Sequence, residues 1–194
     1  MFAMLVDVIL ARSTKADRTR RDIVAAAVDV WAADNSASLG TVADRAGVGR
    51  TTVNRYFADR AQLIAAVDEE CRARYASVVA QSRPTEGTGL EALLRMCTEL
   101  IQLGSVLGLV FADNALVDPD TWYDDEDDPL GSAISRGYQD GSLAQDLPGD
   151  WVGTVVWTTL FAAHLVVASG SRTWHEAASL LTRTLTSGIA APGA

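Results

Sequence analysis

Apolar residues return along this chain at the spacing of a helix rather than that of a strand. In 19–33, Ile23, Ala27, Val30 and Trp31 fall at i, i+4, i+7 and i+8, one face at 3.6 residues per turn. Asp34-Asn35 stops that pattern, and Ser38 suits the cap of a second helix over about 39–46. Gly47 ends this helix, a third covers about 50–57, and Asp59 caps a fourth that runs through Leu63, Val67 and Cys71 towards Val79. Residues 82–89, SRPTEGTG, read as a loop. A fifth helix over about 90–111 lines up Leu90, Leu94, Cys97 and Ile101, widened by Leu93, Leu100 and Leu107. Gly104 and Gly108 lie inside it, each costing roughly 1 kcal/mol relative to Ala, so a kink is expected there. Residues 118–129 are bracketed by prolines, hold seven acids and read as a loop. Helices over about 130–138 and 150–168 follow, closed by Asp140-Gly141 and by Gly170. The last spans about 173–187, with Trp174, Ala178, Leu181 and Leu185 on one side. No segment keeps period two for long, so the expected fold class is all-α.

Within this pattern, 39–58 reads LGTVADRAGVGRTTVNRYFA. Ala43 lies in one short helix, Gly47 in the turn four residues on, and Val53 six further along in the next. A small residue at 43 lets two helices approach, and glycine at 47 accepts a left-handed backbone. Val53 and Phe57 point inward onto Leu39 and Val42. Arg50, Thr51, Thr52, Asn54, Arg55 and Tyr56 are left outward, donors and acceptors suited to a major groove and its phosphates. A generic helical corner has the same three-position spacing. Its solvated face usually mixes acids with bases, whereas 49–58 holds no acid.

Charge changes the picture only through its distribution. The net charge of −9 argues against a nucleic-acid partner, but residues 1–60 hold 9 Lys+Arg against 7 Asp+Glu, and 61–194 hold 7 against 18. An acidic body with a basic-leaning end suits a protein that touches DNA at one end. With 48% apolar and 21% charged residues over 194 positions, the chain can bury a sizeable core.

The motif resembles that of the TetR family of regulators. The residues that carry the likeness are Ser38, Val42-Ala43, Ala46-Gly47-Val48, Arg50, Thr52-Val53 and Arg55-Tyr56-Phe57, then Arg60 and Leu63, and it covers about 19–67. The resemblance implies a three-helix DNA-binding domain at 18–62, after an arm at 1–17 expected to be flexible. A helical ligand-binding and dimerisation bundle would occupy 63–194. It implies DNA contacts from Ser38, Thr41, Arg50, Thr51, Thr52, Asn54, Arg55, Tyr56 and Arg60. Of these, Arg55, Tyr56 and Arg60 would lie near phosphates and Arg50, Thr51 and Thr52 nearer bases. The basic stretch 12–21 reads either as further phosphate or minor-groove contacts or as a solvated tail. Asn54 departs from the family pattern, which usually has an aromatic there. An asparagine could read adenine bidentately or make a weaker backbone contact.

The helix at 150–168, DWVGTVVWTTLFAAHLVVA, is apolar nearly all round and must be covered on more than one side. A membrane span would explain that, but Asp150, His164, the threonines and the lack of a basic flank count against it. An obligate dimer explains it better, with Gly153, Ala162 and Ala163 allowing close approach. The resemblance implies a homodimer through about 150–187, which sets two recognition helices about 34 Å apart, or a modest stretch more, on a pseudo-palindromic operator of double-stranded DNA. It also implies a pocket for an unknown small-molecule effector. Candidate lining residues are Met96, Leu100, Phe111, Trp122, Tyr123, Trp157, Phe161 and His164, each of which ordinary core packing would also explain. The acidic run 124–128 is expected to be a solvated loop, with an entrance favouring cationic ligands as the alternative.

Cys71 and Cys97 form no CxxC pair and read as reduced, buried thiols of a cytoplasmic protein. The first ten residues are too short to span a bilayer and are interrupted by Asp7, and they show neither the basic start nor the small-residue cleavage site of a signal peptide. No nucleophile elbow, phosphate loop or metal cluster is present in the sequence, so neither an enzyme, a cofactor nor a metal is expected. The function expected is a sequence-specific, ligand-released transcriptional repressor. The competing reading is a helical protein-interaction module without specific DNA binding.

Overall fold

A computed structural model describes residues 2–112, 116–123 and 128–191, with side chains from 15 onward except that of 120. The helices are α1 (Phe2–Ala33), α2 (Leu39–Arg45), α3 (Arg50–Tyr56), α4 (Arg60–Gln81), α5 (Gly89–Leu100), α6 (Ser105–Phe111), α7 (Pro129–Gln139), α8 (Gly149–Ala168) and α9 (Trp174–Ile189). Short 3-10 turns occupy Ile101–Leu103 and Pro119–Thr121. Among the described residues the one strand-like pairing is an isolated bridge between Leu143 and Ala190. α1 begins at Phe2, inside the stretch expected to be an arm. No glycine or proline interrupts 2–33, so nothing local stops the helix there. Of the acidic run at 124–128, residues 124–127 lie outside the described residues.

The chain divides into two compact units, Met1–Cys71 with Ala112–Val117, and Arg72–Phe111 with Asp118–Ala194. The division falls inside α4, after Cys71. In the first unit α1 buries Ile23, Val24, Ala27, Val28 and Trp31, and α2 and α3 add Val42, Ala43 and Val53. Phe57, Leu63 and Val67 complete this small core, all of them at most 2% exposed. Fully burying side chains of this size contributes about 1.5–3 kcal/mol each.

In the second unit, α5 starts with a capping box in which Thr88 and Glu91 satisfy each other's backbone N–H groups. Its first residue, Gly89, meets Gly137 of α7 backbone to backbone. The kink expected from Gly104 and Gly108 is a break. α5 and its 3-10 extension turn by 106° into α6. Gly104 supplies the turn at φ 51°, ψ −112°, a conformation that a β-carbon disfavours. Gly108 lies within the turned helix α6, and only Gly104 carries the bend. α8 packs against α5, α6, α7 and α9. α9 opens with a second capping box, Thr173 with Glu176. Its buried row is Ala177, Ala178, Leu181, Leu185 and Ile189; Trp174, expected on that row, is 37% exposed.

Candidate nucleic-acid interface and effector cluster

α2 and α3 are held at their angle by backbone chemistry at the turn between them. Ala46 closes α2, Gly47 follows at φ 67°, and two hydrogen bonds finish the helix: Gly47 N–H to the Asp44 carbonyl and Val48 N–H to the Ala43 carbonyl. This is the Schellman arrangement, which needs a left-handed residue at the position of Gly47. A β-carbon there would meet nothing within 4 Å, so the cost of Gly47→Ala is in the backbone alone. Urea denaturation should show a loss of about 1–2 kcal/mol.

With Val53 and Phe57 pinned inward, α3 turns Arg50, Thr51, Asn54 and Arg55 to solvent, and Thr52 and Tyr56 are half-buried at its edges. The Arg55 guanidinium lies 5.2 Å from the centre of the Tyr56 ring, and Arg20 of α1 lies 5.3 Å from that of Phe57. Ser38 caps α2, its hydroxyl accepting from Thr41 N–H at 3.2 Å and sharing a hydrogen bond with the Thr41 hydroxyl at 3.2 Å. Both side chains are exposed at the start of α2. Arg60 departs from the expected set. Its guanidinium is engaged with two backbone carbonyls and the Trp31 ring rather than being presented with α3.

The expected effector residues divide into two groups in the second unit. Six of them belong to a connected set of rings. Phe111 meets Trp157 at 5.8 Å, Phe161 at 5.0 Å and His164 at 6.1 Å between centroids. Trp157 is stacked with Tyr75 at 6.5 Å, and Tyr75 meets Trp122 at 5.6 Å and Tyr123 at 6.0 Å. Met96 and Leu100 are buried on α5, and neither belongs to these ring contacts. Tyr75, which joins the two ends of the set, was missed in the sequence. It continues the row Leu63, Val67, Cys71 on α4, and a hydroxyl in an otherwise apolar row was the available signal. Burial pushes the Tyr75 phenol well up and also raises that of Tyr123, with the Asp128 carboxylate adding to both. Burial pushes the Cys97 thiol up to about 12 and lowers His164, so imidazole there is favoured neutral. Among the described residues no group of three or more His, Cys, Asp or Glu could hold a metal ion.

A glycine-turned helix pair with an acid-free, base-bearing outer face, carried on an all-helical chain, defines a helix-turn-helix DNA-binding regulator. The family described as "Bacterial regulatory proteins, tetR family" matches residues 23–67. Over 176 residues the chain is 30% identical to the HTH-type transcriptional repressor LfrR of Mycolicibacterium smegmatis, covering 89% of this chain and 91% of that protein. The crystal structure of LfrR in complex with proflavine superposes with a TM-score of 0.68 at 29% identity, covering 89% of this chain and 97% of that one. At 21% identity, the TetR family protein CprB of S. coelicolor A3(2) shares the fold, with a TM-score of 0.71 over 92% of each chain. The chain belongs to the TetR family, and it is a sequence-specific DNA-binding transcriptional regulator.

Proposed function

We propose that this protein is a cytoplasmic, homodimeric repressor that leaves a pseudo-palindromic operator when a planar aromatic cation binds its ring cluster. The single observation that carries the DNA half is the outer face of α3, where Arg50, Thr51, Asn54 and Arg55 are exposed and no acid occurs in 49–58. Arg50, Thr51, Thr52 and Asn54 are assigned to base edges. Arg55 and Tyr56, with Ser38 and Thr41 at the start of α2, are assigned to phosphates. Arg55→Ala should weaken binding to every sequence and lower the slope of log K against log salt by about 1 per protomer. Thr52→Ala should change the preference between sequences and leave that slope alone. Salt-series titrations of both variants on specific and random DNA check the two assignments.

The dimer reading is supported by one face of α8. Trp151, Phe161 and Leu165 are 56%, 37% and 49% exposed, and on α9 Leu180 is 40% exposed. α8 is the one described helix that by itself is long and apolar enough to cross a membrane, with a mean hydropathy of 1.6. A second copy of the chain covers that face without a bilayer and supplies the two-fold symmetry that a palindromic operator requires. Ala162 is exposed and suits this contact, whereas Ala163, expected there too, is 6% exposed and packs inside the protomer. An apolar helix packed on several neighbours gives no sequence periodicity that would separate these two adjacent alanines.

The ligand half is supported by the proflavine bound to LfrR and by the aromatic character of the cluster around Tyr75 and Trp157, whose ring faces suit stacking and cation–π attraction to a flat cation. Asp128, close enough to raise both phenols, supplies compensating negative charge. The test is a capture of genomic fragments, including the region beside the protein's own gene, followed by addition of proflavine. One salt-sensitive site released by micromolar dye is the expected result. A specific complex indifferent to the dye removes the ligand assignment and leaves the DNA assignment in place.

A further inference from the structure

Arg60 begins α4, and its guanidinium is spent inside the protein. Nη1 donates to the Ala37 carbonyl at 2.6 Å and Nη2 to the Asn35 carbonyl at 2.6 Å, while Cζ sits 4.5 Å from the centre of the Trp31 ring. The Ala37 carbonyl also accepts Trp31 Nε1–H at 3.1 Å, so both of its lone pairs are in use. The rest of the linker between α1 and α2 is closed on itself. Ala37 N–H donates to the Asp34 carbonyl, and the Ser36 N–H and hydroxyl both donate to the Asp34 carboxylate, which holds that carboxyl below its usual range. The next residue, Ser38, is the cap of α2. A linker whose outward carbonyls are clamped from α4 by one planar cation has little freedom to shift the helix it feeds.

We propose that Arg60 is a positioning residue for DNA recognition. It fixes the 34–37 linker, and through it the place at which α2 presents Ser38 and Thr41 and supports α3. The inference rests on the reading of α2 and α3 as the DNA-binding surface. It differs from a phosphate contact in what each residue type can do. A phosphate is served by any cation at that point, whereas the clamp needs a planar fork that reaches two carbonyls at once and lies on an indole. Lysine supplies the charge and not the fork.

The test uses the full-length protein with Arg60→Lys and Arg60→Ala, read in two ways. Without DNA, amide hydrogen exchange at Ser36, Ala37 and Thr41 should quicken at least about 10-fold in both variants. With DNA, both should lose roughly 10- to 100-fold in operator affinity, with binding to random DNA and the salt slope unchanged. If Arg60→Lys binds the operator like wild type while Arg60→Ala loses about 1 per protomer from the slope and weakens random DNA equally, Arg60 is a phosphate contact and the proposal is wrong. Exchange that quickens with operator affinity intact would reduce Arg60 to a structural clamp, and unchanged exchange in a folded variant would remove the clamp. Should Arg60→Ala fail to fold, Arg60→Lys carries both readouts. A wild-type protein with no preferred site would overturn the DNA-binding reading itself, while exchange would still decide whether Arg60 holds the linker.

Discussion

Leu165→Glu is expected to yield folded monomers that bind the operator at least about 100-fold more weakly than wild type. Leu165 is 49% exposed in the protomer, so a glutamate there keeps its water and the fold is undisturbed. In a two-fold dimer formed through α8 and α9, the same substitution places two carboxylates at one apolar contact. Burying an unpaired charge costs far more than the apolar contact contributes. Dissociation then turns a two-half-site interaction into one, and linked sites bind about 10²- to 10⁴-fold tighter than separate ones. Sedimentation velocity with a thermal melt checks this. A monomer with a wild-type melting temperature is the expected result, and an intact dimer would place the subunit contact on another face. Ala163→Glu is a poor substitute, because Ala163 is buried and the added charge would unfold the protomer rather than divide the dimer.

Gly89→Ala is expected to be the most damaging single methyl in the second unit. A β-carbon at Gly89 would stand 2.1 Å from the Gly137 nitrogen, 2.3 Å from its Cα and 2.4 Å from the Ala133 carbonyl oxygen. All three are backbone atoms of α7, so no side-chain rotation relieves the clash. The helices must separate, and two polar contacts then stretch: Gly89 N–H to the Asp140 carboxylate at 2.7 Å and the buried Leu90 N–H to the Ser142 hydroxyl at 3.1 Å. Overpacking of this kind costs about 3 kcal/mol or more. For a chain of this size that is roughly 6–12 °C in Tm. A calorimetric melt within 2 °C or so of wild type would mean that α5 and α7 do not meet at these glycines. By contrast, Gly149→Ala, whose β-carbon finds ordinary contact at 3.6 Å with Tyr138, should leave Tm close to wild type.

Much of the fold was legible because its punctuation is local. Ser38, Gly47 and the Asp140-Gly141 pair each act on neighbours within a few residues, and the helices begin and end where those residues stand. The break at Gly104 was readable for the same reason. What escaped depends on contacts between residues far apart in sequence. Tyr75 looks like one more member of a core row until α8 and the segment after Pro119 bring rings to it. The basic character of Arg60 was evident, but its direction was decided by carbonyls at Asn35 and Ala37, 25 and 23 residues earlier. The start of α1 was not legible because amphipathic periodicity begins near Thr19, whereas the helix runs back to Phe2 through a stretch that no glycine or proline interrupts.

The central claim is that a pair of α3 helices reads a two-fold DNA site, and a footprint of the wild-type dimer on its captured genomic fragment tests it most directly. Two protected half-sites about 34 Å apart, related by sequence symmetry and lost together as salt rises, are the predicted result. Uniform protection without a phase, at affinities equal to those for random DNA, would contradict it.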